Sequence, residues 1–180
     1  MRFEICLSGH GGQGMVLGGK ILAEAIALYQ DKHVVQTQSY GPEARGGASR
    51  SEIVVSDEEI DYPKVTQLNL LLALSQESCD KYSVNLESDG ILIIDPLEVK
   101  STPKGNFKVY SIPIIQLAKN ELGKTLFANI IALGAIAAIS GIVNQEELTR
   151  TVLKHVPEKT KEDNQKALEL GYRTGQTAIK

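Results

Sequence analysis

The chain has 180 residues, of which 42% are hydrophobic and 23% are charged, a composition typical of a globular protein with one sizeable core. Its net charge of -3 and its scattered basic residues argue against a nucleic-acid-binding protein and against binding to an anionic membrane surface. Two cysteines are too few for a disulfide framework. We therefore expect a reduced, cytoplasmic protein that forms one domain over residues 1–180.

Strands and helices alternate along the sequence, as judged from apolar runs and from apolar residues at helical spacing. The predicted strands are Arg2–Ser8, His33–Gln38, Ser49–Ser56, Leu68–Leu74, Gly90–Asp95 and Phe107–Ile112. The predicted helices are Gly14–Tyr29, Ser75–Leu86, Ile114–Leu122, Leu126–Ser140, Glu146–His155 and Glu158–Thr177. Two glycines, Gly171 and Gly175, are expected to weaken the end of the last helix.

This alternation predicts an α/β fold of the Rossmann-like kind, with three α/β/α layers and a mainly parallel sheet. A short connection after the second strand allows antiparallel pairing, so we expect the sheet to be mixed. The apolar segment Leu126–Val143 is shorter than the roughly 20 apolar residues of a membrane span and contains Asn129 and Ser140. It is therefore expected to be a buried core helix.

A glycine-rich segment, Gly9-His-Gly-Gly-Gln-Gly14, joins the first predicted strand to the first predicted helix. A helix start offers unpaired N–H groups and a positive dipole end, and glycines allow close backbone approach, so this order is typical of a phosphate-binding site. The segment also fits a dinucleotide fingerprint, but the acidic residue required after the second strand is replaced by Gln36–Gln38. The pattern favours a phosphate-containing ligand other than NAD, and a tight turn without a ligand remains open.

A second unusual segment, Tyr40–Ala48, follows the second predicted strand and reads Tyr-Gly-Pro-Glu-Ala-Arg-Gly-Gly-Ala. Pro42 favours a turn, and Gly46–Gly47 permit close backbone approach. Glu43 and Arg45 bring charges to the carboxyl end of a strand, where ligands bind in open α/β sheets. By themselves these two residues are also consistent with a simple ion pair.

Together the two segments resemble the gamma subunit of the 2-oxoacid:ferredoxin oxidoreductases, in which Gly-x-Gly-Gly-Gln-Gly is followed by Gly-Pro-Glu-x-Arg-Gly. The resemblance continues through Ile60–Pro63, Leu70–Ser75, Ile94–Asp95 and Asn129–Ala135. The second segment is most similar to the 2-oxoglutarate branch. Pyruvate, branched-chain and indolepyruvate enzymes remain alternatives within the family.

The resemblance implies a subunit of an enzyme that converts 2-oxoglutarate, coenzyme A and oxidised ferredoxin to succinyl-CoA, carbon dioxide and reduced ferredoxin. It implies alpha and beta subunits, a ferredoxin-like delta subunit and ferredoxin as partners, with thiamine diphosphate and iron–sulfur clusters carried by partner subunits. The sequence agrees, because it lacks the Gly-Asp-Gly of a thiamine site, and Cys6 and Cys79 are too far apart for a cluster motif. We expect neither a metal site nor a catalytic residue on this chain.

For this chain we expect coenzyme A, as a substrate, to place its pyrophosphate on the glycine loop, with Arg45 or Arg50 meeting a phosphate. The predicted contacts of coenzyme A are Gly9, Gly11, Gly12, Gln13 and Gly14. Tyr40, Glu43 and Arg45 complete the predicted site by shaping its mouth or the subunit interface. Asn129 is interpreted either as a helix cap or buried hydrogen-bond partner, or as a ligand contact. A stand-alone nucleotide-binding module and a scaffold subunit with an empty loop remain alternatives from other classes.

Overall fold

A six-stranded sheet forms the centre of the protein in the computed structural model, which describes residues 1–29, 31–40 and 48–180. The strands are β1 (Arg2–His10), β2 (His33–Tyr40), β3 (Ala48–Ser56), β4 (Leu68–Ala73), β5 (Leu86–Ile94) and β6 (Lys108–Ser111). The helices are α1 (Met15–Tyr29), α2 (Gln76–Tyr82), α3 (Ile114–Leu122), α4 (Ala128–Ser140), α5 (Gln145–His155) and α6 (Lys161–Ile179). Short 3-10 turns cover Ser83–Asn85, Thr125–Phe127 and Glu158–Thr160.

The strand order across the sheet is β2-β3-β1-β4-β5-β6. Strands β1, β4, β5 and β6 pair in parallel, whereas β3 runs antiparallel to both of its neighbours. The predicted α/β fold with a mainly parallel, mixed sheet is therefore confirmed. The continuous apolar run of β4 reflects its central place, because side chains on both of its faces are buried.

The two faces of the sheet carry layers of unequal thickness. The larger core lies between the sheet and a layer that includes α1, α4, α5 and α6. On the opposite face, a smaller cluster is covered by α2, through Cys79 and Tyr82, and by Val99 and Phe107 from the segment between β5 and β6. Helices thus lie on both faces, as the three-layer prediction requires, but the second layer is thin.

Helix α4 is the buried core helix that the apolar composition of Leu126–Val143 predicts. Ten of its 13 residues are buried, and in the ranges that the structure describes no helix is long and apolar enough to cross a membrane. Its neighbour α6 continues to Ile179, past the predicted end at Thr177, with Gly171 and Gly175 inside the helix. That these glycines weaken the end of the helix stays a prediction. A Cβ at Gly171 would overlap the carbonyl oxygen of Ile131 and lie 2.7 Å from its carbonyl carbon, so this glycine allows the two backbones to touch.

The segment around residue 85 differs from its prediction. The helix predicted to reach Leu86 ends at Tyr82, and a 3-10 turn leads into β5, which begins at Leu86 rather than at Gly90. Leu86 pairs with Leu68, the register then shifts, and regular parallel pairing starts at Ile91. The apolar run Gly90–Asp95 therefore predicted only the part of β5 that pairs regularly with β4. Ser75, where the predicted helix begins, is the N-cap of α2, because its hydroxyl accepts the backbone N–H of Ser78.

Candidate functional site at the carboxyl end of the central strands

The sheet register brings the bases of the two predicted ligand-binding segments to one edge of the sheet. Strand β1 ends at His10, and the glycine loop leads from there into α1. Gly9 pairs with Ser49 of β3, and Ser49 also pairs with Tyr40, the last residue of β2. The two ends of the second segment, Tyr40 and Ala48, therefore lie at the same edge of the sheet as the start of the glycine loop.

The outer part of the glycine loop is accessible. Gly11 and Gly12 are exposed, and Gly12 has a φ of 92° with no atom within 4 Å of a Cβ built on it. The loop continues into the first turn of α1, which contains no acidic residue. Because the first N–H groups of a helix have no intrahelical acceptor and lie at its positive end, this surface is suited to an anion.

The inner part of the loop is held by the amide side chain of Gln13. Its Oε1 accepts the backbone N–H of His10 at 2.7 Å, and its Nε2 donates to the carbonyl oxygen of Leu74 at 3.5 Å. The backbone N–H of Gln13 donates to the carbonyl oxygen of His10 at 3.2 Å, closing the turn. Gln13 thus links the two ends of the loop turn to each other and connects the loop to Leu74, directly after β4.

Asn129 lies at the start of α4 and contacts Gly14, the last residue of the glycine loop. It is 6% exposed, and its Nδ2 donates to the carbonyl oxygen of Gly14 at 3.4 Å. The N-cap position of α4 belongs to Phe127. Of the two interpretations of Asn129, the structure supports the buried hydrogen-bond partner.

A chain of buried serine hydroxyls lies beneath the loop and was not predicted. Ser8 Oγ lies 2.9 Å from Ser78 Oγ of α2 and 3.2 Å from the carbonyl oxygen of Ser49. Ser75 Oγ lies 2.8 Å from Ser78 Oγ. This network joins β1, β3 and α2. The sequence offered no signal for the link between Ser8 and α2, because a serine in a strand is ordinary and Ser78 lies 70 positions further along the chain.

The remaining predicted site residues have different placements. Tyr40 ends β2, whereas Glu43 and Arg45 lie outside the described residues, so their roles stay predictions. The guanidinium of Arg50 stacks over the ring of Tyr82 at 5.2 Å and lies 3.3 Å from Glu52, on the face of the sheet that α2 covers. Arg50 is therefore engaged away from the glycine loop.

The cysteines are buried and separate from the glycine loop surface. Burial is the main cause that raises the pKa of the Cys6 thiol to about 12, and the carboxylate of Glu52 adds to it. Burial also raises the pKa of Cys79. Among the described residues, no group of three or more histidine, cysteine or acidic side chains is placed to hold a metal ion.

The glycine loop at the start of the first helix lies at the carboxyl end of the sheet, which is the place where α/β folds bind ligands. The chain belongs to the pyruvate ferredoxin/flavodoxin oxidoreductase family, because the model of that family matches residues 4–174. The family resemblance inferred from the two sequence segments is thereby confirmed.

Comparisons with known proteins refine this assignment. The chain is 45% identical to the 2-oxoglutarate synthase subunit KorC of Methanocaldococcus jannaschii, over 96% of this chain and 93% of that protein. It is 30% identical to the pyruvate synthase subunit PorC of the same organism, over 94% of each. The crystal structure of the gamma subunit of a keto/oxoacid ferredoxin oxidoreductase from Geobacter sulfurreducens PCA shares the fold, with a TM-score of 0.91 and 47% identity over 99% of this chain and 98% of that one.

Proposed function

We propose that this chain is the gamma subunit of a 2-oxoglutarate:ferredoxin oxidoreductase and that its glycine loop binds coenzyme A. Similarity to the 2-oxoglutarate synthase subunit, at 45% identity against 30% for the pyruvate synthase subunit, supports the choice of substrate. The observation that carries the binding role is the exposed Gly11–Gly12 backbone at an acid-free helix start. Pyrophosphate is the group of coenzyme A that such a backbone suits.

The division of labour follows from what the described residues offer. Enzymes of this family use thiamine diphosphate and iron–sulfur clusters as well as coenzyme A. Cys6 and Cys79 are both buried, and no metal-binding group is found among the described residues, so this part of the chain does not fit an iron–sulfur cluster. We assign the thiamine and cluster chemistry to alpha, beta and ferredoxin-like delta subunits. This chain then supplies ligand binding and assembly in the cytoplasm.

Purification of the chain together with its natural partner subunits tests the proposed complex. The expected result is reduction of a viologen dye that requires both 2-oxoglutarate and coenzyme A, with slower reduction from pyruvate or branched-chain 2-oxoacids. A preference for pyruvate would reject the substrate while keeping the family role. A lone chain that binds NAD tightly and captures no thiamine- or cluster-bearing subunit would overturn the proposal.

Gly12→Ala tests the glycine loop within the assembled enzyme. A side chain is disfavoured at its φ of 92°, although the space around it is open, so the loop should shift locally and the fold should persist. We expect the shifted loop to lose about 1.4 kcal/mol of binding free energy for coenzyme A, which corresponds to a roughly tenfold rise in the apparent KM. Gly123→Ala is the matched control, because Gly123 also has a positive φ, 72°, and open surroundings, but ends α3.

An unchanged KM for coenzyme A in the Gly12→Ala enzyme would reject the glycine loop as the binding surface. Arg45→Ala addresses the second segment, and we expect it to raise the coenzyme A requirement of the assembled enzyme. An unchanged requirement with normal assembly would remove Arg45 from the proposed site.

A further inference from the structure

The glycines of the loop serve two different purposes. A Cβ at Gly9 would overlap Oε1 of Gln13 and lie 3.2 Å from Cβ of Leu74. A Cβ at Gly14, where φ is 75°, would lie 2.6 Å from Nδ2 of Asn129. These two glycines therefore make room for amide side chains of the protein itself. Gly12 differs, because a Cβ there would meet nothing within 4 Å.

Both amide side chains are already engaged inside the protein. The Gln13 amide bridges the backbone N–H of His10, at 2.7 Å, and the carbonyl oxygen of Leu74. The Asn129 amide donates to Gly14 across 115 positions of sequence. The loop is consequently held at its first residues by β4 and at its last residue by α4. Its outer segment, Gly11–Gly12, is exposed and free to face a ligand.

We propose that Gln13 and Asn129 are positioning residues that fix the conformation of the glycine loop before coenzyme A binds, and that neither touches the ligand. This inference rests on the proposed function. It changes the role of Gln13, which the sequence predicted to be a contact of coenzyme A. A loop held in its bound conformation loses less entropy on binding, so the two amides raise affinity without a contact. Their loss weakens coenzyme A binding and leaves the chemical step, on other subunits, unaltered.

Gln13→Met tests the inference, since methionine has a similar length but neither hydrogen-bonding group. In the full chain without coenzyme A, we expect the amide of His10 to exchange with solvent at least tenfold faster, because Oε1 of Gln13 no longer accepts its proton. The amide of Leu71, in the centre of the sheet, should exchange as in the unaltered protein. In the assembled enzyme, the apparent KM for coenzyme A should rise severalfold at constant kcat. Gln176→Met, on the exposed end of α6, is the matched control.

Unchanged exchange at His10 overturns the inference, as does a raised KM without faster exchange, because that combination is the behaviour of a ligand contact. If Gln13→Met does not fold, Asn129→Leu is the second test, because it removes the donor to the carbonyl oxygen of Gly14. The amide of Gln13, which donates to His10 within the loop, should then exchange severalfold faster, and the KM for coenzyme A should rise at constant kcat. Unchanged exchange of that amide overturns the inference for Asn129. Failure of the proposed function is separable: a Gly12→Ala enzyme with an unchanged KM for coenzyme A rejects the glycine loop as the coenzyme A site, whereas the exchange of His10 still reports whether Gln13 holds the loop.

Discussion

Asp95 directly follows β5 and is fully buried, and it shows how a single side chain can join separate elements. Its Oδ1 accepts the backbone N–H of Leu97 at 2.9 Å, and its Oδ2 accepts that of Ile115, in the first turn of α3, at 2.9 Å. A carboxylate near a helix start also interacts favourably with the helix dipole. The sequence indicated a polar residue at a strand end, but it did not indicate that this residue anchors α3.

Asp95→Ala is expected to lower the free energy of unfolding by about 2 kcal/mol, because two partly buried backbone donors lose their acceptor. Asp95→Asn, which keeps one carbonyl oxygen, should cost less. Chemical denaturation of both variants, with the exposed Asp61→Ala as control, gives the measurement. Equal stability of Asp95→Ala and the unaltered protein would contradict this role for the carboxylate.

At the scale of elements, α4 and α6 pack unusually closely because glycines face each other across the contact. A Cβ at Gly134 would lie 2.7 Å from the backbone nitrogen of Tyr172, and one at Gly175 would lie 3.0 Å from Cα of Ala135. Propensity alone suggests that such glycines weaken a helix. The structure shows that they set the distance between two helices, which no pattern within either helix reveals.

Gly171→Ala separates packing from propensity, because the two effects have opposite signs. Helix propensity predicts a gain of about 1 kcal/mol from the change, whereas overlap with Ile131 predicts a net loss of about 2 kcal/mol. We expect the loss, measured as a lower thermal midpoint. Thr174→Ala, on the same helix and only partly buried, controls for changes in helix propensity. A more stable Gly171→Ala protein would show that the two backbones separate easily.

Helices α1 and α5 are joined by the carboxylate of Glu24. Its Oε1 accepts from Nζ of Lys154 at 2.7 Å, and its Oε2 lies 2.5 Å from Nε2 of His155. The hydrogen bonds from Lys154 and then from His155 hold the pKa of Glu24 below its ordinary value of 4.5. The contact therefore stabilises the folded state above that value, and its contribution is lost as the pH falls through the folded-state pKa.

Glu24→Gln should lower the free energy of unfolding by about 1 kcal/mol at pH 7, the range of a partly exposed ion pair. The difference in the free energy of unfolding between Glu24→Gln and the unaltered protein should shrink as the pH is lowered below 4.5, the ordinary pKa of a glutamate. Thermal unfolding followed from pH 7 to pH 3 measures this, with Glu162→Gln, which removes the ion pair to Lys166 within one helix, as control. A difference that does not change with pH would exclude the charge of Glu24 as its cause.

At the scale of the whole molecule, the thin layer is the part expected to open first. Both cysteines belong to the cluster on that face, but Cys6 lies in the central strand β1 and Cys79 lies on the short helix α2. Local opening draws on regions with few buried contacts. Cys79 therefore becomes accessible when α2 separates, whereas exposure of Cys6 requires the sheet itself to open.

Thiol labelling of the native protein should modify Cys79 before Cys6, with the rate at Cys6 matching global unfolding. Burial raises the pKa of both thiols, so little reactive thiolate is present even at mildly alkaline pH. Cys6→Ala and Cys79→Ala proteins assign each rate to one residue. Labelling of Cys6 as fast as that of Cys79 would show that the thin layer and the sheet open together.

The sequence by itself determined the α/β alternation, most element bounds, the glycine loop and the family, because these depend on local periodicity and on residues adjacent in the chain. The tertiary structure decided that the end of β2 at Tyr40 lies near the start of the glycine loop, since the register of Tyr40, Ser49 and Gly9 is a property of the sheet. It also decided which glycines face outward, because Gln13 and Asn129 fill the space beside Gly9 and Gly14. Contacts between residues distant in sequence leave no periodic signal, so only the folded chain shows them.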